Sequence, residues 1–147
     1  TLFRSVLVGD GQERERLEHH SVALGISKRV HFLGRMADVR SALATFDVFV
    51  LPSVSVETFS NAALEAMAMS LPVILSDIAG AAEMITDGEN GFLYERNDLA
   101  RLAELLLKLE ADPQLRECIG RRARKSVLAR FNIERMIDEY ETVLSDQ

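Results

Sequence analysis

Two carboxylates, Glu57 and Glu65, stand eight positions apart in the stretch 56-VETFSNAALEAMAMSLPV-73. Between them, Ser60 and Asn61 are residue types that cap a helix N-terminus by accepting a backbone amide. A helix that starts just beyond a strand presents its first amides as an anion site. Glu57, placed just before that start, would repel a phosphate but could accept hydrogen bonds from hydroxyls attached to it. Glu65, further along the helix, could accept two from a neighbouring diol such as a ribose. Two acids bracketing an anion site therefore suit a sugar, a diphosphate and a ribose in line. Spacing alone favours something plainer, a solvated loop acid at 57 and an exposed helix acid at 65. The neighbours of Glu65 weigh the other way: Ala62, Ala63, Leu64, Ala66, Met67 and Ala68 make the helix apolar nearly all round. Such a helix is expected to be buried, and a buried glutamate needs a partner.

Other chemistry-bearing residues are less productive. The run 9-GDGQER-14 has Arg14 where a dinucleotide fingerprint needs its third glycine. Cys118 is the single cysteine, which excludes an internal disulfide and a cysteine metal cluster, and it reads as core. His19, His20 and His31 have no metal-ligand spacing, and none is a convincing base. Asp77 and Glu83 read as caps of the turn that follows them. The basic run 121-RRARK-125 reads first as a solvated helix face, and second as a weak peripheral contact with anionic membrane, marginal for so few cations.

The elements that position these residues alternate. Apolar runs at 5-SVLVG-9, 30-VHFLG-34, 47-DVFVLP-52, 72-PVILS-76 and 91-GFLYE-95 read as strands, and the third, apolar nearly throughout, as one buried on both faces. Helices are expected over residues 12 to 24, closed by Gly25, over 36 to 46 and 61 to 69, and as a turn at 81-AAEMI-85. After 87-DGENG-91 the pattern becomes helical. Leu99, Leu102, Leu106 and Leu109 share one face; Leu115, Ile119, Ala123 and Val127 share another after Pro113; Ile133, Met136, Ile137, Tyr140 and Leu144 form a third. Strands alternating with helices predict an α/β fold with a parallel sheet wound on both faces, its ligand site beyond the carboxyl ends of the strands.

The chain has 147 residues, 48% hydrophobic and 27% charged, which fits one domain with its own core. A net charge of −6 argues against a general nucleic-acid partner. No apolar run approaches the roughly 20 residues of a membrane span and no signal-like segment opens the chain, so a cytoplasmic location is expected.

The string 57-ETFSNAALE-65, followed by 66-AMAMSLPVILSDIAGAAEMI-85, resembles the donor-site signature of the retaining GT-B glycosyltransferases of family 4, in which two glutamates are separated by seven residues. The flanks 7-LVGDGQERERLE-18, 30-VHFLGR-35, 46-FDVFVLPS-53 and 87-DGENGFLY-94 resemble the same family's nucleotide-binding half, in order and over nearly the whole chain. The resemblance implies a Rossmann-like parallel sheet flanked by helices with a helical C-terminal segment, residues 1–147 being a partial C-terminal donor-binding domain. It implies metal-independent, retaining transfer of a sugar from a nucleoside diphosphate to an acceptor hydroxyl, as in glycan, lipopolysaccharide or glycolipid synthesis, with no cofactor.

It also implies roles. Glu57 contacts hydroxyls of the transferred sugar and stabilises positive charge developing at the anomeric centre. The backbone of Thr58, Phe59, Ser60 and Asn61 holds the sugar and diphosphate, and Glu65 holds the ribose hydroxyls. Arg35 and Met36 frame the base, and Gly9 and Gly11 form a glycine turn at the pocket's edge. Ser70 and Ala79 stand where the family usually has glycine. If those backbones have positive φ, each costs about 1 kcal/mol, and Ala79, near the donor pocket, is expected to tune sugar preference. The family's acceptor-binding domain, and an early strand and helix carrying an arginine and a lysine for the diphosphate, are not matched; the chain begins at what resembles the second strand. A carbohydrate or lipid-linked acceptor would meet the missing N-terminal domain, and the chain alone is expected to be inactive. Two rival readings are a non-catalytic nucleotide-sugar-binding subunit and a GT-B nucleotide-sugar epimerase.

Overall fold

A computed structural model describes residues 3–55 and 59–145. The chain forms two compact units, Thr1–Ala42 and Leu43–Gln147. In the first, strand β1 (Ser5–Val8) leads into helix α1 (Arg14–Ala23), a single 3-10 turn (Ser27–Arg29) and strand β2 (Val30–Gly34), which pairs parallel to β1. Helix α1 ends as its sequence requires. Gly25 has φ 68°, its amide donates to Val22 O at 2.9 Å, and the Ile26 amide returns to Ser21 O at 2.9 Å. These are the two bonds of a Schellman cap, and its left-handed residue is cheapest as glycine.

Helix α2 covers only Arg40–Leu43, not the expected 36 to 46. The Asp38 carboxylate accepts the Arg40 amide at 3.0 Å and the Arg40 guanidinium at 2.7 Å, so the helix starts late, and Phe46 closes a turn back to Leu43. Hydrogen bonding from Arg40 holds the Asp38 carboxyl at about 2, well below the usual aspartate value.

The second unit is built on strands β3 (Phe49–Leu51), β4 (Val73–Ser76) and β5 (Phe92–Tyr94), parallel and in that order. Helix α3 (Asn61–Ala68) joins β3 to β4, and helix α4 (Ala81–Met84) precedes β5. Helices α5 (Leu99–Ala111), α6 (Pro113–Arg130) and α7 (Ile133–Ser145) follow. The architecture is the α/β one expected, with all five strands present and the pairing parallel within each ladder. They pair as two ladders, β1–β2 and β3–β4–β5, rather than as one continuous series.

Every residue of β4 is buried, as its central place in the ladder requires, whereas β3 lies at that ladder's edge and is only half-buried. Ile74, Phe92, Tyr94, Leu105, Leu109 and Ile119 form a core that α5 and α6 cover, with Leu102, Leu106 and Leu115 packed around it. Full burial of each large aliphatic side chain is worth about 1.5–3 kcal/mol. The buried line of α5 is centred on Leu105, which is 0% exposed, while Leu99 is 70% exposed. Leu99 is the first helical residue, and the face it shares by periodicity reaches past the end of the core. Ile119, Ala123 and Val127 are buried as expected, and Cys118 beside them is half-buried. The apolar stripe of α7 is exposed throughout its described length.

Asn90 ties the turn before β5 to this core. Its Oδ1 accepts the Thr86 amide at 2.7 Å, and its Nδ2 donates to Met84 O and to Ser126 Oγ, both at 3.1 Å. Among the described residues no helix is long and apolar enough to cross a membrane.

Candidate functional site

In the first unit the expected pocket residues cluster at the carboxyl ends of β1 and β2. Val8 pairs with Gly34, and the Gly9 amide donates to Gly34 O at 2.8 Å, so the two strand ends are fastened directly. Gly11 follows, its amide donating to Asp10 Oδ1 at 2.9 Å. Arg35 and Met36 leave the other strand end, exposed and half-buried respectively. Arg14, whose presence breaks the dinucleotide pattern, has a place here: it donates to Glu18 at 2.8 Å, lies 3.7 Å from Asp10 and reaches Phe32 O at 3.5 Å. It braces the turn between β1 and α1 against β2, a use that sequence spacing does not reveal.

In the second unit the site is the turn from β3 into α3. Glu57 and Thr58 lie outside the described residues. Ser60, rather than Asn61, is the N-cap: its backbone is extended (φ −91°, ψ 107°) and its Oγ accepts the Ala63 amide at 3.2 Å. Its carbonyl takes the Leu64 amide at 3.1 Å. Ser60 thus leaves over the first-turn amides of Asn61 and Ala62, both on exposed residues. Those amides, with the positive end of the helix dipole, are what an anion would meet.

Glu65 is exposed, contrary to the expectation of burial. Helix α3 buries Ala63, Ala66 and Met67 and leaves Asn61, Ala62 and Glu65 outside. Alanines make the outer face look apolar in sequence while costing little when solvated. The carboxylate therefore needs no internal partner and is open to a ligand's hydroxyls.

Two side chains hold the beginning of the loop. Ser76 Oγ, at the end of β4, donates to Ser53 O at 2.8 Å, and Arg96 Nη1, beyond β5, donates to Val54 O at 3.1 Å. Neither is near the loop in sequence, so no local signal marks them. Beneath the turn is a cavity of about 10 Å³ lined by Ser53, Ser60, Ser76 and apolar neighbours. It has room for about one water, so a sugar or nucleotide would lie over the turn rather than within it.

Ala79, in the loop after β4, has φ 45°, and Ser70, after α3, has φ 62°. Both positions where glycine was expected do adopt left-handed backbone. Helix α4 has Gly80 as its N-cap, with no side-chain cap bond, so the helix cap expected of Asp77 and Glu83 is not made there.

Comparison with known proteins agrees with this arrangement. The family described as Glycosyl transferases group 1 matches residues 3–126. The lipopolysaccharide core biosynthesis glycosyltransferase LpsE of Rhizobium meliloti is 35% identical over 96% of this chain and 41% of its own length. N-acetyl-alpha-D-glucosaminyl L-malate synthase of Bacillus anthracis is 37% identical over 96% of this chain and 37% of its own. The crystal structure of Anabaena Alr3699/HepE in complex with UDP superposes with a TM-score of 0.93 at 29% identity, over 99% of this chain and 41% of that one. The same protein with UDP-glucose gives 0.90. The chain thus spans about two-fifths of the length of these proteins. With its fold, its β3–α3 turn and these matches agreeing, the chain belongs to the group 1 glycosyl transferase family.

Proposed function

We propose that this chain is the donor-binding half of a retaining glycosyltransferase, which moves a sugar from a nucleoside diphosphate to an acceptor hydroxyl without a metal. The observation that carries the reading is the start of α3: a buried Ser60 cap, first-turn amides left over on exposed residues, and an exposed Glu65 on the same helix. Its likeness to a protein solved with UDP and with UDP-glucose makes a uridine diphosphate sugar the first donor to test.

In this reading the amides of Phe59 and Ser60, with those of Asn61 and Ala62 that the cap leaves over, hold the diphosphate and take up the charge that grows on it as the glycosidic bond breaks. Dipoles fixed by the fold do this without reorganising, so a metal is not required for it. Glu65 accepts the ribose hydroxyls. Glu57 and Thr58 complete the loop, with Glu57 orienting the sugar and stabilising positive charge at the anomeric carbon. Arg35 and Met36 frame the base, and Gly9 and Gly11 shape the pocket edge. A carbohydrate or lipid-linked acceptor is presented by a separate domain, and transfer needs both halves. The reading includes a cytoplasmic site of action and a weak peripheral contact with anionic membrane. For that contact, Arg121, Arg124 and Lys125 line an open cleft of about 590 Å³ with Ser70, Leu128 and Ala129.

Calorimetric titration with UDP- and GDP-sugars tests the reading. Binding of one of them is expected, and Glu65→Ala should weaken it by about 2 kcal/mol, roughly 30-fold, for lost hydrogen bonds to a charged acceptor. Unchanged affinity in Glu65→Ala would remove the ribose role; no binding of any nucleotide sugar would remove the donor site.

A further inference from the structure

The far end of the β3–α3 loop is held by a residue 72 positions away in sequence. Phe59, directly before the Ser60 cap, meets Phe131 edge to face, with ring centroids 5.2 Å apart and planes at 65°. Phe131 is itself fixed. It ends α6, where its amide donates to Val127 O at 2.9 Å. The Arg130 guanidinium lies 4.9 Å from the Phe131 ring centroid, and its Nη2 donates to Glu83 O of α4 at 2.6 Å. The α6 terminus therefore touches both the turn that opens α3 and the helix after β4.

Phe59 is 38% exposed, so deep burial does not hold it. Two attachments fix the residues that lead into α3: the Ser60 cap and the ring of Phe131. Hydrophobic patterning explains neither the edge-to-face geometry nor the cation stacked on the second ring. An edge-to-face pair with a cation on one face is directional, which makes it a means of fixing a backbone rather than of filling space.

We infer that Phe131, backed by Arg130, is a positioning residue that holds the amides of Phe59–Asn61 where the donor diphosphate docks. The inference rests on the proposed function. Removing the ring should let the loop sample other conformers, so that the donor binds only the fraction in the right one.

A double-mutant cycle tests it, with UDP-sugar affinity measured for wild type, Phe59→Ala, Phe131→Ala and the double variant. Each single change should weaken binding roughly two- to tenfold, the usual strength of such a pair, and the double variant no more than the worse single one. Phe131→Tyr, which keeps the ring, should rescue. Amide exchange at Phe59, Ser60 and Asn61 should quicken in Phe131→Ala while the β4 amides keep their protection, a readout that general destabilisation would not give. Where Phe131→Ala fails to fold, Phe131→Leu keeps the apolar contact without the ring edge and replaces it in the cycle. Additive losses, or loop exchange unchanged by the substitution, overturn the inference while leaving the donor site intact. A wild type that binds no nucleotide sugar overturns the proposed function and this inference with it.

Discussion

Ser70 and Ala79 are the residues whose identity conflicts most directly with their backbone. Ser70 closes α3 as Gly25 closes α1: its amide donates to Met67 O at 2.9 Å and that of Leu71 to Ala66 O at 3.1 Å. The cap is the same Schellman arrangement, but a side chain sits at the left-handed position, at φ 62°. Ser70→Gly and Ala79→Gly should each stabilise the protein by about 0.5–1 kcal/mol, the relief of left-handed strain less the entropy glycine adds to the unfolded chain; chemical denaturation measures it. Asp38 offers a test of electrostatics in the first unit. Its depressed value means that the favourable contact with Arg40 is present above the ordinary aspartate range and fades as pH falls toward 2. A carboxyl carbon titration should show a midpoint near 2, and Arg40→Ala should return it toward 3.8.

Among elements, the crossing of α3 and α6 decides how the candidate site is supported. Gly120, in the middle of α6, lies against the Ser70 carbonyl so closely that a Cβ there would overlap the oxygen. The neighbouring Arg124 donates to Ala68 O, so the carboxyl end of α3 is seated on α6 by a close backbone contact and a cation. Glycine inside a helix costs about 0.5–1 kcal/mol in propensity, and here the close approach is what it allows. Gly120→Ala should therefore destabilise, by about 2 kcal/mol or more despite alanine's better propensity, because backbone rather than a flexible side chain must move. Reduced urea midpoints with the slope unchanged would be the signature. The sequence placed a strand, a capped helix and a strand in the right order here because each is specified by local periodicity and by caps such as Ser60. It did not show why α6 carries a glycine at 120, since the reason lies across a tertiary contact.

Over the whole molecule, order should be unevenly distributed between the two units. Strand β4 is buried at every residue beneath α3 and the α5–α6 core, whereas β1 and β2 form a two-stranded ladder whose residues are mostly half-buried or exposed. Native-state hydrogen exchange should find the slowest amides in β4 and faster ones in β1, since two strands alone give little independent protection. Exchange equally slow in β1 would show that unit to be protected as deeply as the other. The start of α3 at Ser60, the five strands and the end of α1 could be read directly from residues, because periodicity and capping act over a few positions. Composition also suggested that α3 would be buried all round, and there it misled: alanine is compatible with either environment, so only packing could put Ala66 inside and Glu65 outside. The same holds for α5, where Leu99 and Leu105 are equally apolar and the extent of the core selects between them. The pairing of strands into two ladders, the hold of Ser76 and Arg96 on the loop, and the meeting of Phe59 with Phe131 join residues distant along the chain. Local preference carries no information about such pairs, so the sequence alone determined the elements and the chemical types at the candidate site, and tertiary structure decided which of those groups are exposed and what holds them there.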